Sequence, residues 1–201
     1  MPYPTVDAPY GLKPVNLIGG QVFAGATRQI PIATNSSTAI YYGDVVKLSG
    51  GYLAKDTGTT TATPVGVFLG CTYTDPVYGK TFRQYYPGTT NISDVMAYVQ
   101  DDPDALFKVA VVTAYNSTTI GYVNRTAVGQ NAILAQNTGS TTTGNSKVAI
   151  DDTTATTSTW PVRIVDVVPE TALAGNPGSY TEVIVKWNQG MHQYINPTGV
   201  A

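Results

Sequence analysis

The single histidine, His192, limits the chemistry open to this chain. Nucleophilic catalysis of the Ser-His-Asp or Cys-His kind needs an imidazole within hydrogen-bond reach of its nucleophile. His192 stands in a polar segment nine residues from the C-terminus, where a lone histidine reads as an exposed or hydrogen-bonding side chain. The single cysteine, Cys71, excludes an internal disulfide framework and a multi-cysteine zinc site. Within the apolar run 65–72 it reads as a small buried residue.

Carboxylates are the remaining source of chemistry. Asp101-Asp102-Pro103-Asp104 offers oxygen to a hard cation, but a calcium loop takes roughly six to eight oxygens from spaced positions and usually a bidentate Glu, absent nearby. The run reads instead as a hairpin loop. Gly79-Lys80-Thr81 has the ending of a phosphate-binding loop, yet Thr74 stands where that loop needs its first glycine, and no helical pattern follows. Paired acids about 5–10 Å apart do glycosidase chemistry, and eleven aspartates with Glu170 and Glu182 supply the raw material. Most of these acids adjoin Gly, Pro or Thr, as turn and surface acids do. The expectation is no enzyme, no catalytic residue, no metal and no cofactor.

Only 12% of the residues are charged, against about a quarter in an ordinary soluble domain. Gly, Thr, Val and Tyr are abundant, which favours strands and turns over helices. The net charge of −2 comes from scattered residues, and the eleven Lys and Arg form no cluster able to track phosphates, so no nucleic acid is expected as partner. No apolar run approaches the ~18 residues of a membrane helix, and the opening residues lack the basic and apolar stretches of a signal peptide. No membrane partner is therefore expected, and the product should be made in the cytoplasm. The Asn-x-Ser/Thr triplets at Asn35, Asn91, Asn116 and Asn124 arise by chance in so Asn-, Ser- and Thr-rich a chain and carry no weight.

The elements that must position these residues are short strands separated by Gly, Asn, Asp and Thr. They are expected around 28–33, 44–49, 51–55, 64–73, 92–100, 106–113, 119–123, 147–150, 161–168 and 180–187. That spacing predicts an all-β fold, a β-sandwich or barrel with few short helices, the best helical stretch being 128–135. Gly50-Gly51 should join 43–48 to 52–55 in a tight hairpin, and the acidic loop should join 94–100 to 106–113 in a second. Residues 56–63 and 137–145, rich in Thr, Gly and Ser, read as exposed loops. In 183–187 the alternation puts Trp187 on the face of Val183 and Val185, which predicts burial.

Prolines 2, 4, 9 and 14 make residues 1–22 an extended N-terminal arm rather than part of a packed sheet. A β body over 23–201 follows, with a boundary between two β subdomains expected near 88–91. The arm carries Tyr3, Tyr10, Leu12, Val15, Leu17 and Ile18, more apolar surface than a solvent-only tail holds. These six are the candidate interface residues, toward a partner or a sister subunit.

Four strings, in their order and spacing, resemble virion decoration proteins of tailed phages, particularly podovirus- and siphovirus-like phages of cyanobacteria and marine bacteria. They are Gly43-Asp44-Val45-Val46-Lys47-Leu48, Pro64-Val65-Gly66-Val67-Phe68-Leu69-Gly70, Tyr98-Val99-Gln100-Asp101-Asp102-Pro103-Asp104-Ala105-Leu106-Phe107 and Val183-Ile184-Val185-Lys186-Trp187-Asn188. The first two also resemble the β-tulip core of head-stabilising proteins such as that of phage lambda, which sit on capsids as trimers. This chain is much longer, so extra strands or a second β domain must account for the rest. The resemblance implies a cement protein on the outer capsid surface that stabilises the expanded head. It implies the major capsid protein as partner, and a homo-oligomer with a trimer favoured over a dimer. The alternative is a carbohydrate- or receptor-binding β module of a fibre or head spike, with exposed Tyr and Trp160 or Trp187 as stacking platforms. A β-scaffold hydrolase working through carboxylates is the third reading.

Overall fold

The computed structural model describes residues 9–89 and 92–199. Its β-branched and aromatic residues pack well on pleated surfaces, and strands dominate. The chain starts with β1 (Lys13–Leu17) and runs through β2 (Arg28–Pro31), β3 (Val45–Ser49), β4 (Tyr52–Lys55), β5 (Gly66–Asp75), β6 (Gly79–Arg83) and β7 (Met96–Gln100). Then come β8 (Ala105–Val112), β9 (Val123–Asn124), β10 (Asn131–Asn137), β11 (Lys147–Ala155) and β12 (Val162–Val167). The last strands are β13 (Ala172–Leu173), β14 (Asn176–Tyr180) and β15 (Glu182–Trp187). Among the described residues, helix is confined to two 3-10 turns, Arg125–Ala127 and Pro169–Thr171. The fold is all-β, as the composition predicts.

Strands β8, β11, β10, β12 and β15 pair in that order, and β15 returns to β8, closing a barrel around Phe107, Leu134, Ile150, Ile164 and Trp187. A curled sheet of order β2-β7-β5-β3-β4, with β6 added to β5, encloses a second core of Ile40, Phe68, Tyr73, Tyr86 and Val99. One parallel bridge, Ile32 to Leu53, brings the two ends of that sheet together. Strands β13, β14 and β9 form a small separate sheet.

The β3–β4 hairpin forms as expected: Ser49 pairs with Tyr52, and Gly50 and Gly51 have φ of 56° and 81°. A two-residue turn with positive φ at both positions matches the twist of its strands. The second expected hairpin does not form. β7 pairs with β2 and β5, whereas β8 pairs with β1, β11 and β15. Both strands alternate correctly, but they feed different cores, and alternation does not specify a partner. The acidic loop is thus a crossing between sheets. The boundary expected at 88–91 falls partly outside the described residues, at 90 and 91; β6 before it and β7 after it share one sheet.

Three other expectations are corrected by packing. Residues 131–135 of the supposed helix are a strand with five consecutive buried residues, because Ala132 and Leu134 face the barrel core and Ala135 packs with Val112 and Ala149 in a separate buried cluster. Leu134 N–H donates to the Thr59 carbonyl and the Gln136 amide donates to the Gly58 carbonyl. A strand covered on both faces loses its alternation and resembles a buried helix segment. The segment 56–63 is therefore docked rather than free. Asp56 holds it, accepting from Gly58 N–H and Thr63 N–H at 2.9 Å each, with Ala62 fully buried beneath. The second loop, 137–145, rests Gly139 on the Tyr41 ring so closely that a Cβ there would lie 2.4 Å from it.

The N-terminal arm is the third correction. β1 is a strand of the barrel sheet, with Lys13 opposite Lys108 and Leu17 opposite Ala105, and Leu12 is fully buried in the barrel core. Pro14 is tolerated because β1 is an edge strand.

The barrel and the curled sheet meet around Asp44, which is fully buried. Its carboxylate accepts from Tyr41 N–H at 2.9 Å and Ser146 Oγ at 2.6 Å, and pairs with Lys55 Nζ at 2.9 Å. Ser146 Oγ in turn accepts from Val148 N–H at the start of β11. Beside this knot the backbones of Gly11 and Gly43 touch: Leu12 N–H donates to the Gly43 carbonyl, and a Cβ on Gly11 would lie 2.8 Å from that oxygen. Breaking a buried ion pair from one side leaves an unpaired charge and costs about 3–5 kcal/mol. Asp44→Asn should accordingly lower the melting temperature by roughly 6–12 °C. Adding Lys55→Met to it should restore more than half of that loss, as followed by thermal denaturation.

Candidate functional site

The chain passes between the two bodies at residues 17–28 and again at 100–105, and its C-terminal segment returns from β15 to the curled sheet. Two concavities lie along these crossings. A cavity of about 550 Å³ is walled by the first two, with Leu17, Val22, Phe23 and Ala26 facing Arg28, Gln100, Asp101 and Asp102. A second, of about 400 Å³, lies between Ile18, Arg163, Val165, Lys186 and Ile195. The first has carboxylates in its wall and the second has cations. Ile18, Val22, Tyr194 and Ile195 around them are large apolar side chains left 41–77% exposed.

The C-terminal segment is held by side chains acting as backbone. The Gln193 amide accepts from Leu48 N–H at 2.6 Å and donates to the Leu48 carbonyl at 3.2 Å, while Gln193 N–H donates to the Pro64 carbonyl. His192 beside it is fully buried, so of the two expected readings, exposed or hydrogen-bonding, the exposed one fails. Its Nδ1 accepts from Tyr194 N–H at 3.3 Å, and the Tyr194 ring meets the imidazole edge-on at 5.3 Å. The backbone of Val65 and Asp101 lies beside the ring, but Nε2 has no hydrogen bond of good geometry. Arg28 closes the cluster, its Nε 2.8 Å from Asp101 Oδ2 and its guanidinium 5.2 Å from the Tyr194 ring centre.

This geometry does not assemble a nucleophile. Among the described residues no hydroxyl or thiol hydrogen-bonds to His192, and Cys71 is fully buried with its thiol pushed up to about 12 by burial. A thiol held so far above neutrality is not a thiolate nucleophile. Asp151 and Asp152 do form a carboxylate pair, in which burial and then the Asp151 charge raise Asp152, but neither lines either cavity. No group of three or more His, Cys, Asp or Glu side chains that could hold a metal occurs among the described residues. Among the described residues no helix is long and apolar enough to cross a membrane.

Of the six candidate interface residues, Tyr3 lies outside the described residues. Tyr10 is turned inward: its hydroxyl donates to Glu182, and burial with that carboxylate pushes its pKa far up. Leu12 is core and Val15 is a half-buried strand residue. Only Leu17, in the wall of the first cavity, and Ile18, at the second, reach the site. Asp101 and Asp102 stand out in the sequence as a run of acids, but no sequence signal brings Arg28, His192 or Tyr194 to them. No protein-family model, curated protein or solved structure matches the chain.

Burial holds His192 below its ordinary value of 6.5, opposed by hydrogen bonding to Val65 and by the charges of Asp101 and Asp102. The unfolded chain therefore takes up this proton at higher pH than the folded one, so stability falls as pH drops below about 6.5. The urea midpoint of the native chain should be lower at pH 5.5 than at pH 7.5, and His192→Gln should flatten that difference.

Proposed function

We propose that the protein is a capsid decoration protein, binding the outer surface of the major capsid lattice and stabilising the expanded head. The observation that carries this reading is the junction face, where four exposed apolar side chains surround two cavities of opposite charge on a rigid body. Exposed apolar surface rimmed by polar groups suits protein contact. The resemblance supports it further, since its four strings supply β3, the start of β5, the crossing between β7 and β8, and β15. The action is mechanical: bound across capsid subunits as an oligomer, with a trimer favoured, the protein adds contacts that resist internal pressure and gains affinity by multivalency.

A carbohydrate- or receptor-binding module is the alternative. Its most exposed aromatic platform would be Tyr78 and Phe82, 76% and 63% exposed on the β5–β6 hairpin, since Trp187 is buried as expected and Trp160 is half-buried. Copy number separates the two, being near that of the coat protein for a cement and confined to vertices for a receptor binder.

Purified protein should bind expanded heads, and not unexpanded ones, in proportion to the coat protein. Ile18→Asp with Val22→Asp should weaken that binding by about tenfold or more, measured by co-sedimentation. Deleting residues 1–8 tests the arm without removing Leu12 and β1 from the barrel. Equal binding to unexpanded heads, or none to expanded ones, overturns the proposal.

A further inference from the structure

The larger cavity has an unbalanced wall. On β7, Ala97 and Val99 face the core of the curled sheet, so Gln100 lies on the other face, opposite Val67 of the barrel's core cluster, and is only 3% exposed. Gln100 lines the cavity, and its side-chain amide forms no hydrogen bond with another described residue. Asp101 Oδ2 next to it is buried and, although Arg28 lies close, makes no hydrogen bond of good geometry. Arg28 offsets the charge of Asp101, and Lys186, 2.7 Å from Asp104, offsets that of Asp104. Asp102 has no cation within ion-pair distance among the described residues; its Oδ1 accepts only from Asp104 N–H. The polar end of the cavity therefore carries one uncompensated negative charge and free amide and carboxylate capacity. The lining from the 17–27 stretch is mostly apolar, with Leu17, Val22, Phe23, Ala24 and Ala26 beside Gln21 and Thr27.

From this complementarity we infer that the cavity receives a lysine side chain of a partner protein, its ammonium at Asp102, Asp101 and Gln100 and its methylenes along Leu17, Phe23 and Ala26. An ammonium carries three donors on an apolar stem. It matches acceptors at one end and hydrocarbon along the side, whereas an anion meets Asp102 unfavourably and an uncharged chain leaves that charge unmatched. The inference rests on the decoration reading only for the identity of the protein that carries the lysine.

The test is titration of the isotope-labelled full chain with hexylammonium chloride, followed by amide chemical shifts, with hexanoate and hexanol as controls of equal length. Hexylammonium should shift Phe23, Thr27, Gln100 and Asp102 saturably, and the two controls should bind more weakly. Asp102→Asn keeps the acceptor for Asp104 N–H and should weaken hexylammonium by about fivefold. No saturable shift at Gln100 and Asp102, hexanoate binding as tightly, or an unchanged affinity in Asp102→Asn would overturn the inference. If the amine binds but expanded heads do not, the decoration reading fails alone; if heads bind but the amine does not, the lysine inference fails alone.

Discussion

The carboxylate of Asp44, fully buried where the two β bodies touch, is tolerable only because Lys55, Ser146 and Tyr41 all reach it. A buried charge lacking any of these partners costs several kcal/mol, a large share of a domain's net stability of about 5–15 kcal/mol. Lys55 belongs to the curled sheet and Ser146 leads into the barrel, so the pair ties one body to the other. The apolar packing agrees. Val45 and Val67 come from strands of the curled sheet but belong to the barrel's core cluster, as does Leu12 from the N-terminal segment. The two bodies share a wall, and the angle between them is set by close contacts rather than by a linker.

A fixed junction gives the crossings a fixed shape. Residues 17–28 wall the larger cavity with both ends anchored, one in β1 on the barrel and the other in β2 on the curled sheet. The C-terminal segment is pinned by Gln193 against Leu48 and by the stack of Arg28, Tyr194 and His192. Preformed concavities bind with less ordering cost than mobile segments. Arg28 and His192 thus help hold these segments in place, and among the described residues no hydroxyl or thiol hydrogen-bonds to the histidine.

Much of the fold was legible locally. Gly50-Gly51 between two alternating runs was enough for the β3–β4 hairpin, since turn chemistry and register are local. Burial of Trp187 and Cys71 was legible from their apolar neighbours. β10 was not, because both of its faces are buried by residues distant in the chain, and no window contains them all. The same holds for β1, whose prolines argued against a sheet although an edge strand accepts one.

At the candidate site, the residues' own types declared the Asp101–Asp104 acids and the apolar Leu17 and Ile18. Composition and alternation determined that this chain would be all-β, sparing in charge and equipped with one histidine and one cysteine. Tertiary structure alone decided that 101–104 would be a crossing instead of a hairpin turn, and that His192 would be buried beside it. Strand periodicity says which face of a strand is apolar and leaves open which other strand will cover it. That choice is made by long-range packing and by buried polar groups, such as Asp44 with Lys55 and Ser146, that must find their partners across the chain.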